Sequence, residues 1–409
     1  MLYELLTSMP MFACAFFSAA LATSLHRTYN RTRAVLLVWS AVCTLLYGCH
    51  YLFFRHALPL LPLADSLYVA CNLAVYPLYL IYIVRLTREH MDRRWLAPLP
   101  VAAGMGLLIG LLYALMSPAE TQAFAAHYLY HHAEALGDSA LVRWQTWAHD
   151  LCKLLFAAEV FATLIIGTRY IRRYNRLVEE RYADTDDKQL HHIGVLLVLF
   201  VLTSLLSILF NFIGRQMFAD SLWLALPSVL FTLLLTAIGL TGLNQQFDIQ
   251  DLMRDEANLP DYDGVEKTLP ATPEVMPPAS DDTTTDAESE TEAETEAGTE
   301  AGTAIAPTLA ARFVEVVDEQ QLFLQPDLKL RDVRQRLATN RTYLLNALSQ
   351  ELQMTFSEYI NRQRIAYAQQ LMEQHPELSR TDVALRCGYT AQSSFYRNWK
   401  LYAEAPQET

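Results

Sequence analysis

Seven long apolar runs fill the first 245 residues, and they leave a chain like this few folds to adopt. The hydrocarbon core of a bilayer is about 30 Å thick, and a helix needs about 20 consecutive, mostly apolar residues to cross it. Runs of that kind lie at about 5–25, 34–54, 66–84, 95–116, 150–168, 193–213 and 222–243. They are continuous rather than alternating, which makes them helices and not the strands of a barrel. Composition agrees, since 52% hydrophobic against 18% charged is too apolar for an ordinary soluble protein of 409 residues. The opening Met-Leu-Tyr-Glu lacks the basic stretch of a signal peptide, so the first run is expected to stay as an anchor. None of Cys14, Cys43, Cys49, Cys71, Cys152 and Cys387 has the spacing of a disulfide framework or a zinc site.

The connecting loops set an orientation. Arg27, Arg31 and Arg33, then Arg85, Arg88, Arg93 and Arg94, then Arg169, Arg172, Arg173, Arg176, Arg181 and Lys188 occupy alternate loops, against Arg55, Arg143 and Arg215 in the others. Positive charge stays on the cytoplasmic side, so the N-terminus is expected outside and the C-terminus in the cytoplasm of a bacterial inner membrane. Trp95, Trp144, Trp147 and Trp223 fall near the ends of the runs, as interfacial anchors do; ordinary helix packing explains any one of them equally well.

Ionisable groups inside a bilayer are costly and mark sites to watch. The fifth run carries His149, Asp150 and Lys153, with Glu159 deeper, and His50, Asp65, Asn72, Asn211 and Asp220 lie at the outward ends of other runs. If the helices bundle, these residues open a polar pocket to the outside where a small-molecule or protein signal would bind. Pairing within and between helices accounts for the same residues without a ligand. His127 and His131 stand four apart beside His132 and Glu134, but with no further ligand they are not expected to bind metal. His-Glu-x-x-His is absent, no deep aspartate pair occurs, and Lys153 is in the fifth run, not the seventh where a Schiff base would be looked for. Neither catalytic activity nor a cofactor is expected.

Residues 248–307 change character. Between 248 and 300 stand 17 Asp and Glu against 2 Lys and Arg, which accounts for the net charge of −13 and leaves the rest of the chain near +2. Such a stretch cannot bury enough apolar surface to offset its ordering entropy and is expected to be a disordered tether. Three segments result: spans over 1–247, the acidic linker over 248–307, and a helical domain over 308–409.

In that last domain Leu330, Val333 and Leu337 recur at helical spacing, and Ala338-Thr339-Asn340 breaks the pattern. Asn340 is the expected N-cap of a second helix that carries Tyr343, Leu344 and Leu348. Thr355-Phe-Ser-Glu358 is a capping box opening a longer helix with Ile365, Ala368 and Met372 on one face. After Pro376 a further helix pair follows, with Val383 and Ala384, a turn at Gly388, then Phe395, Tyr396 and Trp399.

The run Phe356-Ser-Glu-Tyr-Ile-Asn-Arg-Gln-Arg-Ile-Ala-Tyr-Ala368, followed by Val383-Ala-Leu-Arg-Cys-Gly-Tyr-Thr-Ala-Gln-Ser-Ser-Phe-Tyr-Arg-Asn-Trp-Lys400, resembles the DNA-binding domain of AraC-type (AraC/XylS family) regulators over about 315–402. The whole chain is similar to membrane-embedded regulators of that type. The resemblance implies an all-α fold with two helix-turn-helix units whose recognition helices enter successive major grooves of double-stranded DNA. It places Thr342, Leu345 and Asn346 of the first unit and Gln392, Ser393, Tyr396 and Arg397 of the second at reading positions. Gln392 suits adenine and Arg397 guanine, while Arg341 and Lys400 suit phosphates. Arg334 stands where the family has a small residue, Ala338 where it often has a turn glycine, and the segment after Tyr402 is short. The domain holds 12 basic and 12 acidic residues, which predicts weak DNA affinity as a monomer and a use for a homodimer. The expected function is a membrane-anchored, one-component transcription regulator that also meets the lipid bilayer and RNA polymerase. The alternative is a seven-span sensor or transporter whose helix-turn-helix domain docks a protein.

Overall fold

The computed structural model of the chain describes residues 2–55, 58–130, 139–186, 188–213, 226–245, 247–257 and 307–403. The acidic stretch from 258 to 306, His131, His132, Glu134, Asp220, Trp223 and the side chain of Asn211 lie outside the described residues. Apart from one isolated β-bridge, the described residues are helical or loop. They divide into two compact units: Met1–Val178 with Thr185–Asn258, and Glu179–Asp184 with Leu259–Thr409.

The first unit contains α1 (Leu2–Arg27), α2 (Arg31–Phe54), α3 (Leu61–Thr87), α4 (Pro98–Leu115), the short α5 (Pro118–Phe124), α6 (Ala140–Glu179), α7 (His191–Ile213), α8 (Leu226–Asn244) and α9 (Ile249–Ala257). Among the described residues six helices are long and apolar enough to cross a membrane: Leu6–Arg27, Arg31–Phe53, Leu61–Thr87, Arg93–Leu115, Ala140–Glu179 and Leu226–Arg254. Seven were expected. The difference is the run at 193–213, which falls on α7, where the described apolar stretch is the shorter His191–Leu206.

Sequence neighbours pack side by side, α1 on α2, α2 on α3 and α3 on α4, and α8 returns against α1. Every residue of α3 from Val75 to Val84 is buried, so it has no polar face and forms the axis of the bundle. Small residues let its neighbours close in: a Cβ on Gly106 of α4 would stand 2.8 Å from the Ser66 carbonyl oxygen, and one on Gly167 of α6 would stand 3.2 Å from Ile83. The outer faces carry rows of exposed apolar residues, among them Phe12 and Phe16 on α1, Leu107, Leu111 and Leu115 on α4, and Leu154, Phe161 and Ile165 on α6. A protein in water buries such rows; a bilayer solvates them. Trp144 and Trp147 are exposed near the start of α6, whereas Trp95 packs edge-on against Tyr170.

The second unit holds α10 (Leu309–Glu319), α11 (Leu330–Leu337), α12 (Arg341–Ala347), α13 (Phe356–Gln374), α14 (Arg380–Arg386) and α15 (Gln392–Tyr402). It is built on two apolar cores. The first gathers Phe313, Val317, Val333, Leu337, Leu344 and Phe356, and the second Ile365, Ala368, Val383, Ala384, Tyr389 and Phe395. Helix α13 contributes to both. The expected caps form with one change. Asn340 accepts from the Tyr343 amide at 2.9 Å, and Thr355 from the Glu358 amide at 3.2 Å. The other half of the capping box is missing, because Arg362, one turn further on, pairs with the Glu358 carboxylate at 2.8 Å.

Candidate functional site

Each unit contains a candidate site. In the second, α12 and α15 each follow a short helix and a tight turn. The turn after α11 passes through Ala338 at φ 49° and ψ 48°, the left-handed conformation that glycine adopts without cost. The turn after α14 uses Gly388 at φ 82°, where a Cβ would stand 2.5 Å from the Leu324 carbonyl oxygen. With Leu344 and Ala347 buried, α12 exposes Thr342 and Asn346; with Ser394, Phe395 and Asn398 buried, α15 exposes Gln392, Ser393, Tyr396, Arg397 and Lys400. Arg341 is half-buried. Gln392 is held by its Nε2, which donates to Thr381 Oγ1 at 2.9 Å and leaves the second amide hydrogen and Oε1 unused by that bond. Leu345, expected at a reading position, is half-buried and packs against the first core, where an apolar side chain is more stable than in water.

Arg364, which the sequence presents as one more basic residue of α13, is fully buried. Its Nε donates to the Phe323 carbonyl at 2.6 Å, an Nη to the Gln325 carbonyl at 2.9 Å, and the guanidinium lies 5.1 Å over the Tyr389 ring. It joins the turn after α10 to the second core. Only its position in the quoted motif pointed to it.

In the first unit α1, α2, α3, α6, α7 and α8 line a cavity of about 690 Å3. Tyr47, Tyr68 and Phe231 give it aromatic walls, and His50, Asp65, Asn72, His149 and Lys153 are its charged and amide groups. Asp65 Oδ2 lies 2.9 Å from His149 Nε2 and accepts from the Tyr113 hydroxyl at 2.8 Å. The other ring nitrogen, Nδ1, donates to the Gln145 carbonyl at 2.9 Å. A carbonyl only accepts, so Nδ1 holds a proton, and the bond between Nε2 and Asp65 needs a second one. Whichever partner holds that second proton, the pair is neutral overall, which is how a buried His–Asp pair is tolerated inside a bilayer.

Thus His149, Lys153, Asn72, His50 and Asp65 come together around one cavity. Two expected companions do not join them. Asp150 faces outward, paired with Lys153 at 3.3 Å and with the Tyr128 hydroxyl, and Lys153 also lies 4.4 Å over the Tyr128 ring. Glu159 sits further along α6, outside the cavity lining. Among the described residues no group of three or more His, Cys, Asp or Glu side chains is arranged to hold a metal ion.

Residues 334–409 match the model of a helix-turn-helix domain. No curated protein and no solved structure matches the chain. The chain is an all-α, multi-pass membrane protein in kind, with a helix-turn-helix domain behind an N-terminal region of long apolar helices that have the length and composition of membrane spans.

Proposed function

We propose that the protein is a membrane-anchored transcription regulator of the AraC type, reading promoter DNA through two helix-turn-helix units. One observation carries the reading. Two short helices, α12 and α15, turn hydrogen-bonding side chains outward, each while its inner face closes a separate core, and one helix contributes to both cores. Two recognition helices on a shared strut suit two successive major grooves. Gln392, steadied by Thr381, is set for adenine and Arg397 for guanine; Thr342, Asn346, Ser393 and Tyr396 complete the reading set, and Arg341 and Lys400 meet phosphates. The charge asymmetry of the loops supports a cytoplasmic position for this domain at the inner membrane, where it would meet RNA polymerase. Its neutral charge supports action as a homodimer, in which linkage of two copies offsets the weakness of one.

The signal enters through the cavity of the first unit. Its aromatic walls and few polar groups suit a small amphipathic molecule that places an apolar body between Tyr47, Tyr68 and Phe231 and a hydrogen-bonding head toward His149, Lys153 and Asn72. A second reading, docking of the domain on a protein partner, is favoured by the same neutral charge and by Leu345, half-buried against the first core, offering no hydrogen bond to a base. Genome-wide occupancy of the tagged full-length protein in its native cell, beside a Gln392→Ala, Arg397→Ala double variant, tests the choice. Discrete sites that vanish in the variant support DNA reading; a folded, present protein with no sites under any growth condition supports docking.

A further inference from the structure

The second unit contains six residues from the junction of α6 and α7, far earlier in the chain: Glu179–Asp184. They enter it as a strap. Tyr182 and Lys329 form an antiparallel bridge, flanked by bonds from the Ala183 amide to the Leu328 carbonyl at 3.0 Å and from the Leu330 amide to the Arg181 carbonyl at 2.9 Å. Tyr182 and Ala183 are buried, Ala183 belongs to the first core, and Lys329 covers the Tyr182 ring at 5.4 Å. The Ala183 carbonyl accepts from Ser357 Oγ at 3.2 Å and Asn361 Nδ2 at 2.8 Å, both on α13. The next residue reaches the other core: the Asp184 carboxylate accepts from the hydroxyls of Thr390, in the turn before α15, and Ser394, on its buried face, the latter at 3.2 Å. Asn361 adds an arm of its own by accepting from Asn398 Nδ2 of α15 at 3.3 Å.

We infer that Asp184 is a positioning residue for DNA reading: the strap fixes the second core against the first and so sets the relation of α12 to α15. This rests on the two-unit reading proposed above. Four observations argue for a strut rather than a cover. The strap binds both cores, its contacts go to buried side chains of α13 and α15, Thr342 and Asn346 stay exposed beside it, and so do Gln392, Ser393 and Arg397. Two recognition helices reach successive grooves together only if their mutual placement is held, and here two carboxylate–hydroxyl bonds hold it from outside the domain's own sequence.

The test uses the full-length protein in lipid nanodiscs. With an operator taken from the occupancy experiment, Asp184→Ala is expected to lower affinity for the complete site about tenfold or more, as loss of two charge-assisted bonds implies. Its affinity for a half-operator that engages α15 alone is expected to be unchanged, and Asp184→Asn, which retains an acceptor, is expected to fall between. Unchanged or raised affinity for the complete site overturns the proposal, as does an equal loss on the half-operator, which would mark Asp184 as a support of the second core alone. A readout without DNA stands apart from the DNA reading. Spin labels at Gln350→Cys and Arg380→Cys, both exposed positions, are expected to give a wider distance distribution in Asp184→Ala than in the parent, the six native cysteines being buried. Equal widths overturn the strut even where operator binding is found, and wider ones sustain it even where no operator exists.

Discussion

Ala338 has its backbone where an L-residue pays a steric cost of about 1 kcal/mol, because its Cβ crowds the carbonyl oxygen. Ala338→Gly is therefore expected to stabilise the α11–α12 region by about 1 kcal/mol, read as slower amide hydrogen exchange there; no change would mean that the turn relaxes away from the left-handed conformation. Gly388 is the opposite case, needing both a positive φ and the space a Cβ would take from Leu324. Gly388→Ala is expected to cost about 2 kcal/mol or more and to speed exchange in α14 and α15. Cys387 is fully enclosed in the second core, and burial pushes its thiol up to about 11. A thiol held neutral at pH 8 does not attack iodoacetamide, so alkylation of Cys387 is expected only after denaturation; rapid labelling of the native protein would contradict the enclosure. These residue-level features were unequally legible in the sequence. Asn340 and Thr355 announce their helix starts by local chemistry, and the Ala338 position was flagged by comparison with the motif. The burial of Arg364 and the half-burial of Leu345 were not legible, because burial is decided by distant residues that neither side chain names.

Among the elements, α3 and α6 carry the buried polar pair of the membrane half. Asp65→Ala leaves the His149 imidazole with the Gln145 carbonyl as its one remaining hydrogen-bond partner among the described residues, and His149→Leu leaves the Asp65 carboxyl with the Tyr113 hydroxyl. Each single change is expected to cost about 3 kcal/mol of thermal or denaturant stability, and the double change less than the sum. Strict additivity would mean that the two groups do not depend on each other. Six of the apolar helices were legible because each shows the bilayer's length requirement in one uninterrupted run. The pairing of residues 65 and 149 was not, since it joins helices 84 positions apart; the sequence showed only that both groups belonged at outward ends. The strap was invisible for another reason. Arg181-Tyr-Ala-Asp184 has no periodicity and no motif, and its backbone bonds are made to Leu328 and Leu330, far along the chain.

At the scale of the whole molecule, the function proposed above routes the signal through the strap and asks nothing of the acidic stretch. Removing residues 270–300 is expected to leave operator occupancy and its response to stimulus within about twofold of the parent, since a stretch of such composition contributes reach rather than alignment. Complete loss of response would assign a coupling role to that stretch. Helix α6 lends His149 and Lys153 to the cavity and ends at Glu179, the first residue of the strap. On the function proposed above, a molecule bound in the cavity touches the same continuous helix that leads into the strap, and it shifts an equilibrium only by the difference in its affinity for the two states. Replacing Tyr68 with Ala is expected to abolish the response to stimulus while leaving basal occupancy in place.

The strap also imposes a timetable on synthesis. Residues 179–184 emerge from the ribosome about 125 residues before α10 begins. The last domain therefore cannot complete itself as it leaves the ribosome; it must find a piece of its own interior already laid down in a membrane loop. Its maturation is confined to the place where that loop resides, and a fragment cut free of the membrane half would carry away a domain with one structural element missing.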